Sequence, residues 1–265
     1  MGKLLHFEFR KLFRQKSFYI CGAVFVSLIL ISIITLNAVL TFSDSMLESD
    51  GLSVALLDDS ICNGLYMLMS AFTNGNFSVI LSVFTTLFIC SDYTNDTLKN
   101  MIARGYGRIS IYAAKYIVTL CAATIYSILG WLVSFLSGTA FWGIGTLPDG
   151  RGVGNILLTL LIQLVGVYAY TSLFFLISAL LKKSGGAIAL SILGPTIIST
   201  GISLIDALVQ DKKITLSNYW LDTCFSQLES LNVASDTITR CIICFLIYIV
   251  FFTAAGHFIV RKSEV

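Results

Sequence analysis

The stretch ICGAVFVSLILISIITL, residues 20–36, decides the fold class, because it carries no charge and would be apolar on all sides of a helix. Six charge-free stretches occur along the chain, at residues 17–43, 60–91, 116–148, 152–181, 184–205 and 241–260. Crossing a hydrocarbon core of roughly 30 Å takes about 20 helical residues, and every stretch is long enough. The sequence therefore predicts an all-α integral membrane protein of one domain. Its six transmembrane helices are predicted at about residues 17–42, 65–90, 112–137, 153–181, 185–206 and 239–260.

The composition supports the same conclusion. Of the 265 residues, 12% are charged and 56% are hydrophobic, whereas soluble domains carry about 25% charged residues. One soluble core of this size could not bury so much apolar surface, so the excess is expected to face lipid. An ordinary soluble enzyme is thereby excluded, and we expect no nucleic-acid partner.

The charged residues separate onto two sides of the predicted membrane. The segments on the side of the two termini contain 13 of the 17 basic residues, and the alternate segments contain 11 of the 15 acidic residues. Lys and Arg accumulate in cytoplasmic loops of membrane proteins. Both termini are therefore predicted to be cytoplasmic.

Amphipathic segments are predicted on both sides of the membrane. The N-terminal arm has an apolar stripe opposite a basic face, which predicts a helix lying in the inner membrane interface with its basic face toward lipid headgroups. The stripe comprises Leu5, Phe9, Leu12 and Phe13, and the basic face comprises Lys3, Arg10, Lys11 and Arg14. Between spans five and six, Leu221, Phe225 and Leu228 recur at helical spacing beside Tyr219 and Trp220. This outer segment is predicted to be either an amphipathic helix at the headgroup level or a re-entrant pair of short helices.

Several kinds of chemistry have no residues to support them. The sequence has no Gly-x-x-x-x-Gly-Lys-Ser/Thr phosphate-binding loop and no His/Cys cluster at metal-ligand spacing. No Asp, Glu or Lys falls in the middle of a predicted span, where an ion-coupled carrier would place one. We therefore expect no catalytic residue, metal site or cofactor in this chain, and a driving force supplied by another protein. Cys62 and Cys224 fall near or in outer loops, where they either form a disulfide or remain two thiols.

The loop between spans two and three has the most distinctive pattern, DYTNDTLKNMIARGYGR at residues 92–108. Asp92 or Thr94 is a suitable N-cap for a short helix, which the glycines at 105 and 107 would end. This cytoplasmic helix would carry Leu98, Met101 and Ile102 on one stripe. These apolar side chains need a cover, which is predicted to be the membrane or another protein.

In this loop and in its layout, the sequence resembles the permease subunits of bacterial ABC exporters of the ABC-2 type. Those permeases have a basic interfacial arm, six spans, two cytoplasmic termini and a long outer segment between spans five and six. Their second loop typically carries an acidic residue, a Gly-Thr-Leu/Ile-Lys-Asn-like core, a Gly, an Arg and then a Lys that starts span three. The matching residues are Asp92, Thr97, Leu98, Lys99, Asn100, Gly105, Arg108 and Lys115, with Asp96 where Gly is frequent. Glu8, Lys11, Lys16 and Phe18-Tyr19 also resemble the family's opening.

The resemblance implies a coupling helix that docks on a separate ABC ATPase. That ATPase would bind ATP and Mg²⁺ and drive the spans between inward-open and outward-open states. The coupling residues implied are Asp92, Thr97, Leu98, Lys99, Asn100, Met101, Arg104 and Arg108, with Lys182 and Lys183 as a second contact. The resemblance also implies a bacterial cell-membrane location and a homodimer or a heterodimer with a similar permease.

In such a dimer the substrate would pass between the two bundles, along spans one, two and five. An amphipathic peptide such as a bacteriocin is the expected substrate, and lipids, drugs and polysaccharides are the alternatives that relatives handle. Polar residues expected along the path are Asn74, Asn76, Ser191, Thr196, Ser199, Thr200 and Ser203. The hydroxyl groups among them have a second interpretation, in which they bond to backbone carbonyls or ease helix packing.

Two other classes of protein are weighed against the permease. A membrane-embedded enzyme would need a reactive constellation within the spans, and the sequence contains none. A membrane scaffold or receptor would leave the second loop free to vary, whereas that loop matches a transporter pattern at eight ordered positions. The permease is therefore the favoured prediction.

Overall fold

The computed structural model describes residues 2–50, 63–73, 75–95, 97–145, 153–208, 215–229 and 233–262, with side chains described throughout except at 43–50 and 261–262. These residues form ten α-helices and contain no strand. The helices are α1 (Gly2–Arg14), α2 (Lys16–Asp50), α3 (Gly64–Met69), α4 (Asn76–Thr94), α5 (Thr97–Ala103), α6 (Arg108–Trp142), α7 (Val153–Leu181), α8 (Ser184–Leu208), α9 (Leu221–Gln227) and α10 (Ser235–Lys262). Short 3₁₀ turns cover Ser70–Phe72 and Leu216–Tyr219.

Six of these helices are long and apolar enough to cross a membrane, which confirms the predicted all-α architecture with six spans. They are α2, α4, α6, α7, α8 and α10. The chain is therefore a multi-pass membrane protein. We call the end of the bundle that holds α1 and α5 the arm end, and the opposite end, which holds α3 and α9, the far end.

The segment predicted as one span at 65–90 is interrupted in the structure. Helix α3 passes into the 3₁₀ turn, and α4 starts only after Gly75, whose φ of 69° lies in the left-handed region that glycine adopts without steric cost. Helix α3 packs on the end of α6 instead of continuing α4, since the Gly64 N–H donates to the Gly143 carbonyl at 2.9 Å. Hydropathy did not reveal this break, because both pieces are apolar.

Helix α7 forms the centre of the bundle and contacts α4, α6, α8, α9 and α10. In its most apolar segment, 67% of the residues are buried inside the protein, compared with 11% in the same part of α8. A glycine at position 166 lets α9 and α10 approach closely, because the rings of Phe225 and Phe245 occupy the space that a Cβ would take. Helix α8 is the least buried of the six within the protomer, although it packs against α4 and α7.

The inward stripe of α1 differs from the predicted one. The structure buries Leu4, Glu8 and Leu12, whereas Phe13 is 48% exposed. Lys11 is predicted on the basic face that points toward lipid headgroups. In the structure it turns toward the bundle and pairs with Asp92. The physical reason is this long-range ion pair, which the local amphipathic pattern does not contain.

The apolar stripe of α9 packs on the protein. Leu221, Phe225 and Leu228 are buried in the same cluster as residues of α7 and α10, and Trp220 is buried beside them. The thiol of Cys224 is free and buried, and its backbone carbonyl accepts a 3.8 Å hydrogen bond from the Cys241 thiol. Cys62 lies outside the described residues.

We predict that Gly166→Ala lowers the free energy of unfolding by about 1–3 kcal/mol, the usual cost of overpacking. The new Cβ would lie 2.6 Å from Phe225 Cζ and 2.8 Å from two atoms of the Phe245 ring. Gly154→Ala on the same helix is the control, because it meets nothing within 4 Å. Thermal unfolding of the purified variants in one detergent checks this, and equal melting temperatures for the two variants would contradict the packing argument.

Candidate functional site

Helix α5 is the short helix of the loop between the second and third spans. It begins at Thr97 and ends at Ala103, and Gly105 turns the chain with a φ of 84°. Met101 is buried together with Leu4 of α1, and Ile111 and Ala114 of α6 complete this second, smaller core. A helix of seven residues is too short to be stable alone, so α5 depends on this packing for its structure.

Two expectations about this loop are corrected. Asp92 and Thr94 do not cap α5, because α4 continues through both of them and α5 begins only at Thr97. The apolar stripe has a partial cover within the chain: Met101 is buried against α1 and α6, and Leu98 and Ile102, which stay partly exposed, pack against the same core. The surface that α5 leaves exposed is polar and carries Lys99, Asn100 and Arg104, with Arg108 exposed at the start of α6.

Four buried or half-buried ionisable residues meet beside α5, and we call them the charge cluster: Glu8, Lys11, Asp92 and Lys115. The two carboxylate oxygens of Asp92 contact different lysines, Oδ1 the ammonium of Lys11 and Oδ2 that of Lys115. The Lys115 ammonium also lies 3.0 Å from Glu8 Oε1. Lys11 donates a further bond of 3.3 Å to the Ser91 hydroxyl.

The cluster balances its charges in a region that excludes water. Glu8 and Asp92 are at most 1% exposed and Lys115 is 4% exposed, and two carboxylates offset two ammonium groups. The Phe88 ring lies 5.0 Å from the Lys11 ammonium and 5.9 Å from that of Lys115, which adds a cation–π contribution. Burial lowers the pKa of Lys11 to about 8, against the attraction of Glu8, which raises it.

The charge cluster joins three elements that are distant in sequence. Glu8 and Lys11 come from α1, Asp92 comes from the last turns of α4, and Lys115 comes from the second turn of α6. Residues 92 and 115 bracket α5, so the cluster attaches both ends of this loop to the N-terminal arm.

The resemblance predicted Asp92 and Lys115 as loop residues, but it did not predict that they touch. It assigned Asp92 to an ATPase contact, and the structure buries this side chain among lysines of its own chain. Glu8 and Lys11 appeared only as part of the arm pattern. Their one available signal was an acidic and a basic residue three positions apart in a basic amphipathic arm, which is too weak to identify an ion-pair partner 81 residues away.

A small cavity of about 30 Å³ lies between α5 and the bundle. Leu98 and Ile102 line it from α5, and Tyr112 and Phe175 line it from α6 and α7. The packing of α5 therefore leaves only a small gap on this side.

The second predicted contact is a two-residue corner. Lys182 and Lys183 join α7 to α8, and Lys182 has a φ of 52°. Its ammonium lies 5.9 Å from the ring of Tyr93, the last residue but one of α4. The structure therefore brings this corner to the arm end, close to the segment that leads into α5.

The predicted path residues fall into two groups. Ser191 is buried, and its hydroxyl lies 3.5 Å from that of Thr86, so it joins α8 to α4 inside the protomer. Thr196, Thr200 and Ser203 are exposed on α8 with Ser199 half-buried beside them, and the first three bond to carbonyls of their own helix. Asn76 is the first residue of α4, and Asn74 lies outside the described residues.

The comparison with known families gives a match over 195 of the 265 residues. Residues 4–198 fit a family described as "ABC-2 family transporter protein". The matched segment runs from α1 into α8 and contains α5 and the whole charge cluster, whereas α9 and α10 lie beyond it. A comparison with curated proteins found no match.

We predict that Asp92→Asn destabilises the fold by about 3–5 kcal/mol, because it leaves two buried ammonium groups with one carboxylate. Lys99→Gln, which removes an exposed lysine of α5, should change stability by less than about 0.5 kcal/mol. The double variant Asp92→Asn/Lys115→Met restores charge balance. Its loss of stability should therefore be smaller than the summed losses of the single variants Asp92→Asn and Lys115→Met. Thermal unfolding in detergent measures all four, and strictly additive losses would contradict the charge cluster.

Proposed function

Because the chain belongs to the ABC-2 family of transporter proteins, it is a membrane permease of an ABC transporter, and we propose that it is the translocation subunit of an exporter powered by a separate ATPase. The observation that carries this proposal is the polar face of α5 above the charge cluster. An exposed helix that is attached to three other helices is suited to transmitting the conformational changes of a separate ATPase. ATP and Mg²⁺ would be bound by that ATPase and not by this chain.

The proposed docking surface is the exposed face of α5. Lys99, Asn100 and Arg104 supply hydrogen-bond donors for carboxylates and carbonyls of the ATPase, and Arg108 extends the surface. The corner at Lys182 and Lys183 would form a second, smaller contact at the same end. Leu98, Met101 and Ile102 act indirectly in this scheme, because they fasten α5 to α1 and α6.

The charge cluster is proposed to pass the movement of α5 to the spans. Separating any of its ion pairs would leave a charge in a region without water, so the four side chains are expected to move as one unit. Asp92 is therefore a positioning residue for the docking surface and is not itself a contact.

A pair of such permeases, identical or similar, is proposed to enclose the path. Helices α2 and α8 are the first and fifth spans. In their most apolar segments, only 22% and 11% of the residues are buried within the protomer. A groove on α8 is lined by Leu193, Thr196, Ile197, Thr200 and Leu204. This mixture of apolar surface with hydroxyl groups suits an amphipathic substrate, and we propose a peptide that is moved out of the cytoplasm.

The proposed setting is the bacterial cell membrane, with the arm end and both termini in the cytoplasm. The excess of Lys and Arg on that side supports this orientation. Helix α1 has Phe7 and Phe13 about half exposed, as expected for a helix that lies in the headgroup region and touches acyl chains. Membrane lipids are therefore proposed as further partners of the arm.

Charge reversal on α5 tests the docking surface. Arg104→Glu is expected to reduce recovery of the ATPase that co-purifies with the unaltered permease at least tenfold, because it places like charges against each other in the interface. Arg14→Glu makes the same change on an exposed residue of α1 and should leave recovery intact. If no ATPase co-purifies in mild detergent, or if both variants retain it equally, the exporter assignment fails.

Cysteine labelling tests the path. Thr200→Cys on α8 should react in intact cells with a membrane-impermeant maleimide, because a substrate path contains water. Leu246→Cys on α10 is 51% exposed in the protomer and should stay unlabelled, because lipid covers it. The unaltered protein gives the background from its own cysteines. Labelling of Leu246→Cys alone would place the path on another face.

A further inference from the structure

A groove of about 510 Å³ runs along the outside of the bundle between α2 and α6, and we call it the α2 groove. Tyr19, Ala23, Ser27 and Leu30 line it from α2, and Leu129 lines it from α6. These five residues are exposed and belong to two of the spans, so the groove opens toward the hydrocarbon core of the membrane. None of them belongs to the docking surface or to the groove on α8.

The walls of the α2 groove are suited to hydrocarbon. Three hydroxyl groups occur in its lining, and each donates to a backbone carbonyl: Tyr19 to Phe13 at 3.0 Å, Ser27 to Val24 at 2.8 Å and Tyr126 to Phe18 at 2.7 Å. The other lining residues are apolar. A water-soluble ligand would therefore lose its hydration here without finding a free hydroxyl donor, whereas an alkyl chain has no hydrogen bonds to lose.

The α2 groove is about as long as one membrane leaflet is deep. At 1.5 Å per helical residue, the distance from Tyr19 to Leu30 is about 17 Å, and half of a hydrocarbon core of roughly 30 Å is about 15 Å. Gly22 forms part of the floor, where an added Cβ would lie 3.4 Å from Cε1 of the Tyr126 ring. One extended acyl chain that enters at the arm end would therefore reach the middle of the membrane.

The end of the α2 groove that lies nearest the arm is basic. Lys16 is exposed and comes three residues before Tyr19, which places both residues on the same face of α2. The Tyr19 hydroxyl bonds to the Phe13 carbonyl of α1, so this end of the groove adjoins the corner between the two helices. Residues 9–43 include four basic residues and no acidic one. This segment therefore supplies no carboxylate to compete for Lys16.

An apolar groove one leaflet deep, with a cation at its mouth, matches the shape and charge of an anionic phospholipid. We propose that the α2 groove binds one acyl chain of such a lipid and that Lys16 contacts its phosphate. A second copy of the chain fits the mouth less well, because its corresponding segment is itself basic. The proposal identifies the lipid partner that the proposed function leaves general, and it rests on the arm end lying at a membrane surface.

Native mass spectrometry of the full-length protein in mild detergent tests the site. The protein is mixed with equal amounts of phosphatidylglycerol and phosphatidylcholine that carry the same acyl chains. We expect each protomer to retain one phosphatidylglycerol, in at least about fivefold preference over phosphatidylcholine. Lys16→Gln should lower this preference about fivefold, because one basic residue near a membrane surface contributes roughly that factor to the attraction of anionic lipid.

Ala23→Phe tests the groove itself, because the new ring would fill it, and retention of both lipids should fall at least fivefold. Ala38→Phe makes the same change on an exposed residue of α2 outside the groove and should retain lipid like the unaltered protein.

Equal retention by the Ala23→Phe and unaltered proteins would overturn the proposal, as would an unaltered protein that retains the two lipids equally. Loss of a dimer in Ala23→Phe with unchanged lipid retention would also overturn it and would assign the groove to a second copy of the chain. The ATPase takes no part in this measurement, so the lipid site and the exporter assignment can fail separately.

Discussion

The exclusion of water from the charge cluster constrains the rest of the arm end. Charges removed from water are costly unless each keeps an opposite partner, and the cost of separating them exceeds that of any single apolar contact nearby. Helix α1 must therefore fold back against the bundle with Glu8 and Lys11 inward, and the two ends of the α5 loop must stay together. The position of α5, which is too short to hold itself, follows from this requirement.

The carboxylates at the two ends of the molecule have different kinds of partner. At the arm end every buried carboxylate has an ammonium partner from the same chain, which makes the region stiff and self-contained. At the far end Asp222 is exposed, and its carboxylate accepts bonds from two neutral donors, the Tyr170 hydroxyl and the Trp220 indole N–H. A buried carboxylate needs a charged partner from the chain, whereas an exposed one is stabilised by solvent.

The sequence was sufficient to predict the six spans and the position of α5, because both depend on local properties: apolar length, charge placement and helix-ending glycines. It was insufficient where contacts between distant residues decide the result. The inward rotation of α1 follows from Lys11 meeting Asp92, and the break before α4 follows from α3 finding a partner on α6.

The corner at Lys182 and Lys183 has a mechanical consequence for α8. This helix of 25 residues is joined to the buried α7 by two residues, it packs against α4 and α7, and Asp206 near its other end accepts bonds from the Leu216 and Ser217 N–H groups. At 1.5 Å per residue α8 is about 37 Å long, so a tilt of about 10° at the corner would carry its other end roughly 6 Å. Such a movement would also carry the Leu216–Tyr219 turn, because Asp206 near that end of α8 binds it.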